Sequence, residues 1–520
     1  EHDPSTKTIY YDNAVLKIYD FPIFFFPKLW HPDPTVKRQS GFLPPSLSDS
    51  SNVGTGITAP YFWAMAKDRD LTFTPKLYAS EKPLLLAEYR QEFKNSFLIT
   101  DVGFTQGYKK RTDTKSKGSR SHFFSKFNHS FSSINEANSE LELNIQRVSN
   151  RTHLKVHDIN TALVDKDTNI LENTLTYNYQ NEDLFLGSTI SAFESLSKNE
   201  NDRSRFEYLL PYITFDKNLA TDERYGVLDF SSNLQIRNFD VNKQTEFFVN
   251  DLNWKSNKWI NNIGIQNSFE GLLKTVNYSA KNTSKYKNQN NNAELSGVIG
   301  YLAKLNLFKN DLNSNNLLTP KFLLRYAPGH MRAIDSGRLK YSNLFNLNKL
   351  DTLDIIEKGL STSLGFDYKK NDLDSQGIIG PEKFSFSAGQ VISANEYSDI
   401  PSSSSLDQRF SDVVGESSYN INEKIKLNYS FSLDQSYKEF NYNELGSELS
   451  FGDTKFNLSY LEEKNHIGSQ EYVKSSIDIT LNDSANLTLS TKRNLVTNSA
   501  EFYDLSYDYI NDCLKAGLVY

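Results

Sequence analysis

Lys424 to Asp434 reads Lys-Ile-Lys-Leu-Asn-Tyr-Ser-Phe-Ser-Leu-Asp. Ile425, Leu427, Tyr429, Phe431 and Leu433 fall on one face of an extended chain and only polar side chains on the other, the pattern of a two-faced β-strand. Such a stretch, rising roughly 3.4 Å per residue and tilted about 40°, spans on the order of 26 Å, close to the apolar band of a bilayer. The rhythm recurs in Leu141-Glu142-Leu143-Asn144-Ile145, Leu175-Thr176-Tyr177-Asn178-Tyr179, Phe384-Ser385-Phe386-Ser387 and Phe456-Asn457-Leu458-Ser459-Tyr460. A hairpin is legible in Ile477 to Leu481, a polar turn at Asn482 to Asn486, and Leu487 to Ser490. No stretch of comparable length carries apolar residues at helical spacing over three turns. The chain reads as all-β, with many short strands.

Composition narrows the class. Across 520 residues the hydrophobic share is 38% and the mean hydropathy -0.56, low for a set of globular cores. Disorder is the first alternative, but 29 Tyr and 35 Phe are too many aromatics for a solvating chain. A large antiparallel transmembrane β-barrel accounts for both observations: half of each strand faces a wet lumen, and aromatics gather at the two interfaces. No apolar run reaches the ~18 residues of a spanning helix. The opening Glu1-His2-Asp3-Pro4 has no signal-peptide character, so any such peptide is expected to be gone already. A net charge of -7 argues against a nucleic-acid partner. The single cysteine, Cys513, has no internal disulfide partner.

Residues 1–38 differ from the rest. Phe21-Pro22-Ile23-Phe24-Phe25-Phe26-Pro27 is apolar on both faces and punctuated by proline, which predicts a strand end or linker outside the barrel wall. From there, residues 39–520 alternate amphipathic segments with connections of unequal length. Ala66 to Arg69 and Lys94 to Ser96 read as short turns. Lys109 to Arg120, Ser197 to Arg205, Lys281 to Asn292, Lys309 to Asn316, Lys369 to Gln376 and Ser398 to Gln408 read as long polar loops. At roughly 20 residues per strand and connection, the chain holds on the order of 22 to 26 strands. A barrel that wide is plugged or passes something bulky.

Few residues invite chemistry. His153 and His157 have metal-site spacing for a helix, but in strand-like sequence that separation is about 13 Å, too far for one ion. Asp68-Arg69-Asp70 resembles an acid pair, yet reads as a turn. There is no nucleophile elbow, phosphate-binding glycine loop or Cys–His cluster, so neither catalysis nor a cofactor is expected. A basic run, Lys109, Lys110, Arg111, Lys115, Lys117 and Arg120, is interrupted by Asp113 alone. A solvated loop accounts for it; on the outer rim it would also meet anionic lipid phosphates.

Several blocks resemble the LptD family of outer-membrane lipopolysaccharide assembly proteins. They are Pro22 to Pro27, Arg38-Gln39-Ser40-Gly41-Phe42-Leu43-Pro44, Ala59-Pro60-Tyr61-Phe62-Trp63 and Asp70-Leu71-Thr72-Phe73-Thr74-Pro75. Further along come Leu324-Arg325-Tyr326-Ala327-Pro328, Ser411-Asp412-Val413-Val414-Gly415 and Tyr509-Ile510-Asn511-Asp512-Cys513. The resemblance implies a periplasmic β-jellyroll, of which residues 1–38 would hold the last strands, followed by a very large barrel in residues 39–520 that opens sideways. It implies an outer-membrane translocon for lipopolysaccharide, a plug of the LptE lipoprotein type and a periplasmic bridge of the LptA type. Pro44 and Pro60 match the family's gate prolines, and proline forfeits a ladder hydrogen bond wherever it falls. Cys513 matches a cysteine that the family joins to its N-terminal region, absent from this chain. Most of the jellyroll and the closing strand or strands are also expected to lie outside the sequence. The competing readings are an outer-membrane porin or receptor for small solutes, and a membrane-embedded hydrolase for which no nucleophile and base stand at suitable spacing.

Overall fold

A computed structural model describes every residue except 1, 4–6, 19–20, 34, 37, 113–114, 135–136, 198–204, 241, 284–285, 287–290, 312, 374–377, 423, 483, 511–514 and 520. The chain is almost entirely antiparallel sheet. Among the described residues, 32 strand segments are joined by one α-helical turn and two 3₁₀ turns. Two compact units emerge: residues 1–215 with 233–247 and 278–290, and residues 216–232 with 248–277 and 291–520.

The first unit opens with a three-stranded sheet of its own, His2–Asp3, Thr8–Ile18 and Phe21–Pro32. Phe21–Pro32 is its edge strand, the position at which prolines do least harm to a ladder. Between the pairs Asp12–Lys28 and Ala14–Phe26 the ladder omits Asn13 and Pro27, and Asn13 takes a φ of 55° there. The expected strand end or linker is therefore a paired strand. An up-and-down meander follows, in which Arg69–Tyr78, Leu84–Glu92, Ser96–Thr112, Lys115–Ile134, Ala137–Val148, Ile170–Gln180 and Leu184–Ser195 pair each with the next.

Connections differ in length at the two ends of this meander. One end carries residues 67–68, 93–95, 135–136 and 181–183; the other carries 79–83, 113–114, 149–169 and 196–205. Two expectations change here. Lys109 to Arg120 is not a loop: both strands run on until Thr112 pairs with Lys115, with register shifts on the way. The strands satisfy backbone groups that a polar loop would leave to water. Residues 149–169, which gave no signal in the sequence, are the long connection instead.

Within that connection, His153–His157 forms a single helical turn, contrary to the extended reading. Asn150 Oδ1 accepts from Thr152 N at 3.0 Å, starting the turn, and Asp158 ends it in the left-handed region at φ 50°. Five residues are too few to show helical periodicity; burial fixes the turn. Leu154 and Ile159 are enclosed with Leu84, Phe124, Val148 and Leu171 in a small core against one face of the sheet.

The second unit repeats the arrangement. Strands Ser314–Ala327, Gly359–Leu373, Ile379–Ser393, Val413–Asn422, Ile425–Leu433, Phe440–Phe451, Thr454–Glu463, Glu471–Asn482, Ala485–Asn494 and Ser499–Ile510 pair in sequence order. The hairpin read around Asn482 holds, with Ile477 opposite Leu489 and Ile479 opposite Leu487. One end has short joins at 423–424, 452–453 and 483–484; the other has 328–358, 394–412, 434–439, 464–470 and 495–498. The loops expected at Lys309 to Asn316 and Lys369 to Gln376 are mostly strand, with Lys309 opposite Asn316 and Lys369 opposite Leu317.

The faces of the strands are sorted in a way that soluble sheets avoid. Leu324 and Tyr326 are exposed, while Leu323, Arg325 and Ala327 between and beside them are buried. The same holds at Leu360 and Leu364, exposed, against Ser361 and Ser363, buried. The face left open is apolar and the face covered by the chain's own connections is largely polar, as in a sheet whose outer solvent is lipid. The connections bring their own core: Met331, Ile334, Leu339, Tyr341, Leu344, Leu350, Ile355, Ile400 and Leu406 enclose Val391 and Val414 of the sheet.

Candidate functional site: a broken first hairpin and a polar covered face

The first hairpin of the large sheet is broken on both strands at one level. Gly41–Phe42 pairs with Tyr61–Phe62 on one side of the break and Ser46–Ser48 with Gly56–Thr58 on the other. Three residues, Leu43-Pro44-Pro45, stand opposite two, Ala59-Pro60, so the first strand carries one extra residue, as in a β-bulge. Pro44, Pro45 and Pro60 have no N–H to give. What crosses the break is Leu43 N donating to Pro60 O at 2.9 Å, and Ala59 N donating to Pro75 O of the third strand at 3.2 Å. Both expected gate prolines therefore sit at the interruption, with Pro45 reinforcing it.

Below the break lies an ionic clamp. Asp70, expected in a turn with Asp68, instead begins the third strand, Arg69–Tyr78. Its carboxylate receives the Arg38 guanidinium on one oxygen and Arg90 Nε, at 2.9 Å, on the other. Arg38 Nη1 also donates to Lys67 O at 2.8 Å, and Ser40 Oγ accepts from Ala64 N at 2.9 Å. Asp70 is mostly buried, where a carboxylate is stable only when paired and hydrogen-bonded.

The covered face of the second unit is a network of matched charges. Buried Arg325 donates to Leu347 O and Glu357 O and pairs with Glu357 Oε2 at 3.3 Å, while Leu350 N donates to Glu357 Oε1 at 2.6 Å. Arg332 joins Glu294 at 2.8 Å and Asp354 at 2.9 Å. Lys349 is buried in the same connection, and desolvation with the nearby Arg325 charge pulls its ammonium down to about 7. Lys321 and the Tyr341 hydroxyl both reach Asp367. They border a cleft of about 560 Å³ whose lining includes Glu382, Ser385, Glu416 and Tyr429.

A second knot ties two connections, 394–412 and 464–470, to two strands. Asp412 is buried, and its Oδ2 accepts from Ser432 Oγ at 2.8 Å and Asn441 Nδ2 at 2.9 Å, with His466 Nε2 at 3.1 Å. The Asp412 contact, with Asp407 and Asp434 close by, raises the His466 imidazole above its usual range despite partial desolvation. In the first unit His122 Nε2 lies 2.6 Å from Asp101 Oδ1, and its Nδ1 lies 3.3 Å from His153 Nε2. Burial, with His157 and His122 adjoining, lowers His153 to about 3, so it is neutral at ordinary pH. Among the described residues no group of three or more His, Cys, Asp or Glu is arranged to hold a metal ion.

Of the basic run, Lys109, Lys110, Arg111, Lys115 and Lys117 lie on strands whose side chains are outside the described residues. Arg120 is buried, its guanidinium 6.0 Å from the centre of the Tyr108 ring. Cys513 also lies outside the described residues. Sequence reasoning had not singled out Arg38, Arg325 or Asp412 for a role, and had read Asp70 as a turn residue. Each falls inside one of the blocks that carry the family resemblance, which was the available signal.

Comparison with known proteins points to the same family. The family described as "LptD: LPS transport system D" matches residues 118–496. LPS-assembly protein LptD of Shewanella oneidensis is 25% identical over 400 residues, 73% of this chain and 49% of the relative. That of Nitrosococcus oceani is 29% identical over 230 residues, 44% of this chain and 29% of the relative. That of Pseudomonas aeruginosa LESB58 is 40% identical over 78 residues, 15% of this chain and 8% of the relative. The chain thus spans at most about half the length of these curated relatives. Among solved structures, the ferric preacinetobactin receptor BauA of Acinetobacter baumannii aligns over 92% of this chain and 77% of its own at 8% identity, with a TM-score of 0.27, too low to establish a shared architecture. With the family matched across well over half of its residues, the chain belongs to the LptD family.

Proposed function

We propose that this chain is the barrel region of an outer-membrane translocon that places lipopolysaccharide in the outer leaflet. The acyl chains leave sideways beside the first hairpin and the sugars pass along the polar covered face. The observation that carries this reading is the hairpin broken at Pro44, Pro45 and Pro60 in a member of the LptD family. A sheet opens where its ladder is weakest, and a ladder interrupted on both strands by residues without N–H groups is weak by construction. The cleft of hydroxyl, carboxylate and ammonium groups around Asp367 suits a hydroxylated cargo, and the apolar open face suits a bilayer.

In this reading residues 39–520 form the barrel. Residues 1–38 are the periplasmic end, the last strands of a β-jellyroll, and meet a bridge protein of the LptA type. A lipoprotein of the LptE type occupies the lumen. The basic residues Lys109 to Lys117 face lipid phosphates at the outer rim, and Cys513 pairs with a cysteine of the N-terminal region. No covalent step is required of the chain. The test is depletion of the full-length protein in its host, with surface lipopolysaccharide on intact cells and small-solute uptake measured together. Loss of surface lipopolysaccharide with uptake intact is expected; the reverse would make the barrel a porin or receptor.

A further inference from the structure

Two lysines stand directly opposite one another on the covered face of the second unit. Lys304 of strand Asn292–Leu305 is in register with Lys321 of strand Ser314–Ala327. Both share the face of Leu302 and Leu323, the next opposed pair, which are buried there. Like charges in directly opposed positions destabilise a sheet. Lys321 is drawn aside to the Asp367 carboxylate, and its ammonium lies 5.5 Å from the centre of the Tyr341 ring and 5.3 Å from that of Phe345. Lys304 is partly buried and pairs with no carboxylate among the described residues.

The charges that act on Lys304 are mostly of its own sign. Lys321, Lys255 and Lys258 repel it, and the Glu270 carboxylate opposes them. Lys255 closes strand Lys243–Lys255, and Lys258 lies in the connection that leads on to Ile265–Lys281. Glu270 is already engaged by Lys255, at 2.9 Å. Four ammoniums thus share two carboxylates, Asp367 and Glu270, and each carboxylate is bonded to a lysine. Two positive charges are left over on a partly enclosed face. A cleft lined by an excess of one sign concentrates ions of the other, and lysine meets phosphate as a point charge. The excess matches a phosphomonoester, which carries about two negative charges near neutral pH, better than a singly charged diester or a neutral sugar.

We propose that Lys304, with Lys255 and Lys258 beside it and Lys321 opposite, binds a phosphomonoester carried on a sugar of the exported glycolipid. Lys321 also borders the cleft around Asp367 and Glu416, so the sugar bearing the phosphate has hydroxyl partners next to the site. The inference rests on the export reading above for the origin of the phosphate, while binding itself is measured apart from export.

The experiment follows thermal unfolding of the full-length protein in detergent with inorganic phosphate, glucose 6-phosphate, glucose or glycerophosphoglycerol. Inorganic phosphate and glucose 6-phosphate are expected to raise the unfolding midpoint, an effect that fades with added salt, and glucose to leave it in place. Glycerophosphoglycerol, the diester headgroup of a phospholipid, is expected to bind roughly tenfold more weakly than glucose 6-phosphate. Equal binding of the two would assign the site to lipid headgroups and overturn the monoester assignment. Lys304→Met is expected to raise the midpoint without ligand, because the repulsion is gone, and to weaken glucose 6-phosphate roughly tenfold. A misfolded variant would not give those opposite signs, and Lys304→Arg is expected to keep binding. A parent indifferent to both phosphates, or a Lys304→Met variant that responds as the parent does, overturns the proposal. If phosphate binds but depletion of the protein leaves surface lipopolysaccharide in place, the export reading falls and the site stands; if depletion removes it and phosphate does not bind, only the site falls.

Discussion

Leu273 and Lys274 are neighbours in one strand and lie on opposite faces of it, with the leucine 46% exposed and the lysine 2% exposed. Lys274 Nζ donates to Asp251 Oδ2 and to Leu353 O, both at 2.7 Å, so a strand, its neighbour and a long connection meet at one ammonium. In water the order would be reversed, since Lys is almost never fully buried unless paired.

Lys274→Met should therefore destabilise the protein by about 3 kcal/mol, because Asp251 is left charged and enclosed. The double change Lys274→Met with Asp251→Leu should recover most of that loss, since a buried pair is often no better than an apolar replacement. Urea unfolding in lipid vesicles measures both; equal stability of the single variant and the parent would show that water reaches this pair.

His466 predicts a pH dependence. Its folded state binds the proton more tightly than the unfolded chain does, so its contribution is complete below the unfolded value near 6.5. The contribution fades as pH rises through the raised folded value. Hydrogen-exchange protection of residues 464–470 and 394–412, taken relative to the intrinsic amide rate at each pH, should fall over that rise and should not do so in His466→Gln. Constant protection in the parent across the range would remove the charge from the role assigned to it.

Lys349 has the opposite sign. Its folded value, about 7, lies below that of an unfolded lysine, so the ammonium form opposes folding. The penalty is absent where both states are neutral, above about pH 10.4, grows as pH falls, and is complete below the folded value. Lys349→Met should stabilise the protein most at pH 6 and progressively less toward pH 10. A gain that does not vary with pH would trace to packing alone.

Replacing both Pro44 and Pro60 with alanine restores two N–H donors at the break. The expected result is a stiffer first hairpin and slower appearance of lipopolysaccharide at the surface of intact cells. Unchanged kinetics in the double variant would count against a role for these prolines in opening.

The strand rhythm was legible because polarity alternates with the two faces: Ile425 to Leu433 is a strand paired with both neighbours along its whole length, with one register shift near an end of each ladder. The break at Pro44 and Pro60 was legible because proline brings no N–H to a ladder. The long connections were not. Met331, Ile334, Leu339, Leu344, Leu350 and Ile355 are spaced at neither two nor 3.6 residues, because they pack against a sheet rather than form an element. Lys109 to Arg120 misled in the other direction, since charge suggested a loop where backbone pairing continues. The Arg38–Asp70 clamp joins residues 32 positions apart, a separation no local pattern encodes.

The unequal ends of the meander divide the chain by its tolerance for inherited change. Ala66 pairs with Arg69 and Phe451 with Thr454 across two residues. One added residue there would turn every side chain of the following strand to the wrong face, presenting lysines and serines on the apolar open face. Ten residues separate Ser195 from Phe206 at the opposite end, where an insertion alters loop closure by a fraction of a kcal/mol. Related chains should accordingly drift in length at one end of each meander and remain fixed in length at the other, so that the long connections can change while the strands they join do not.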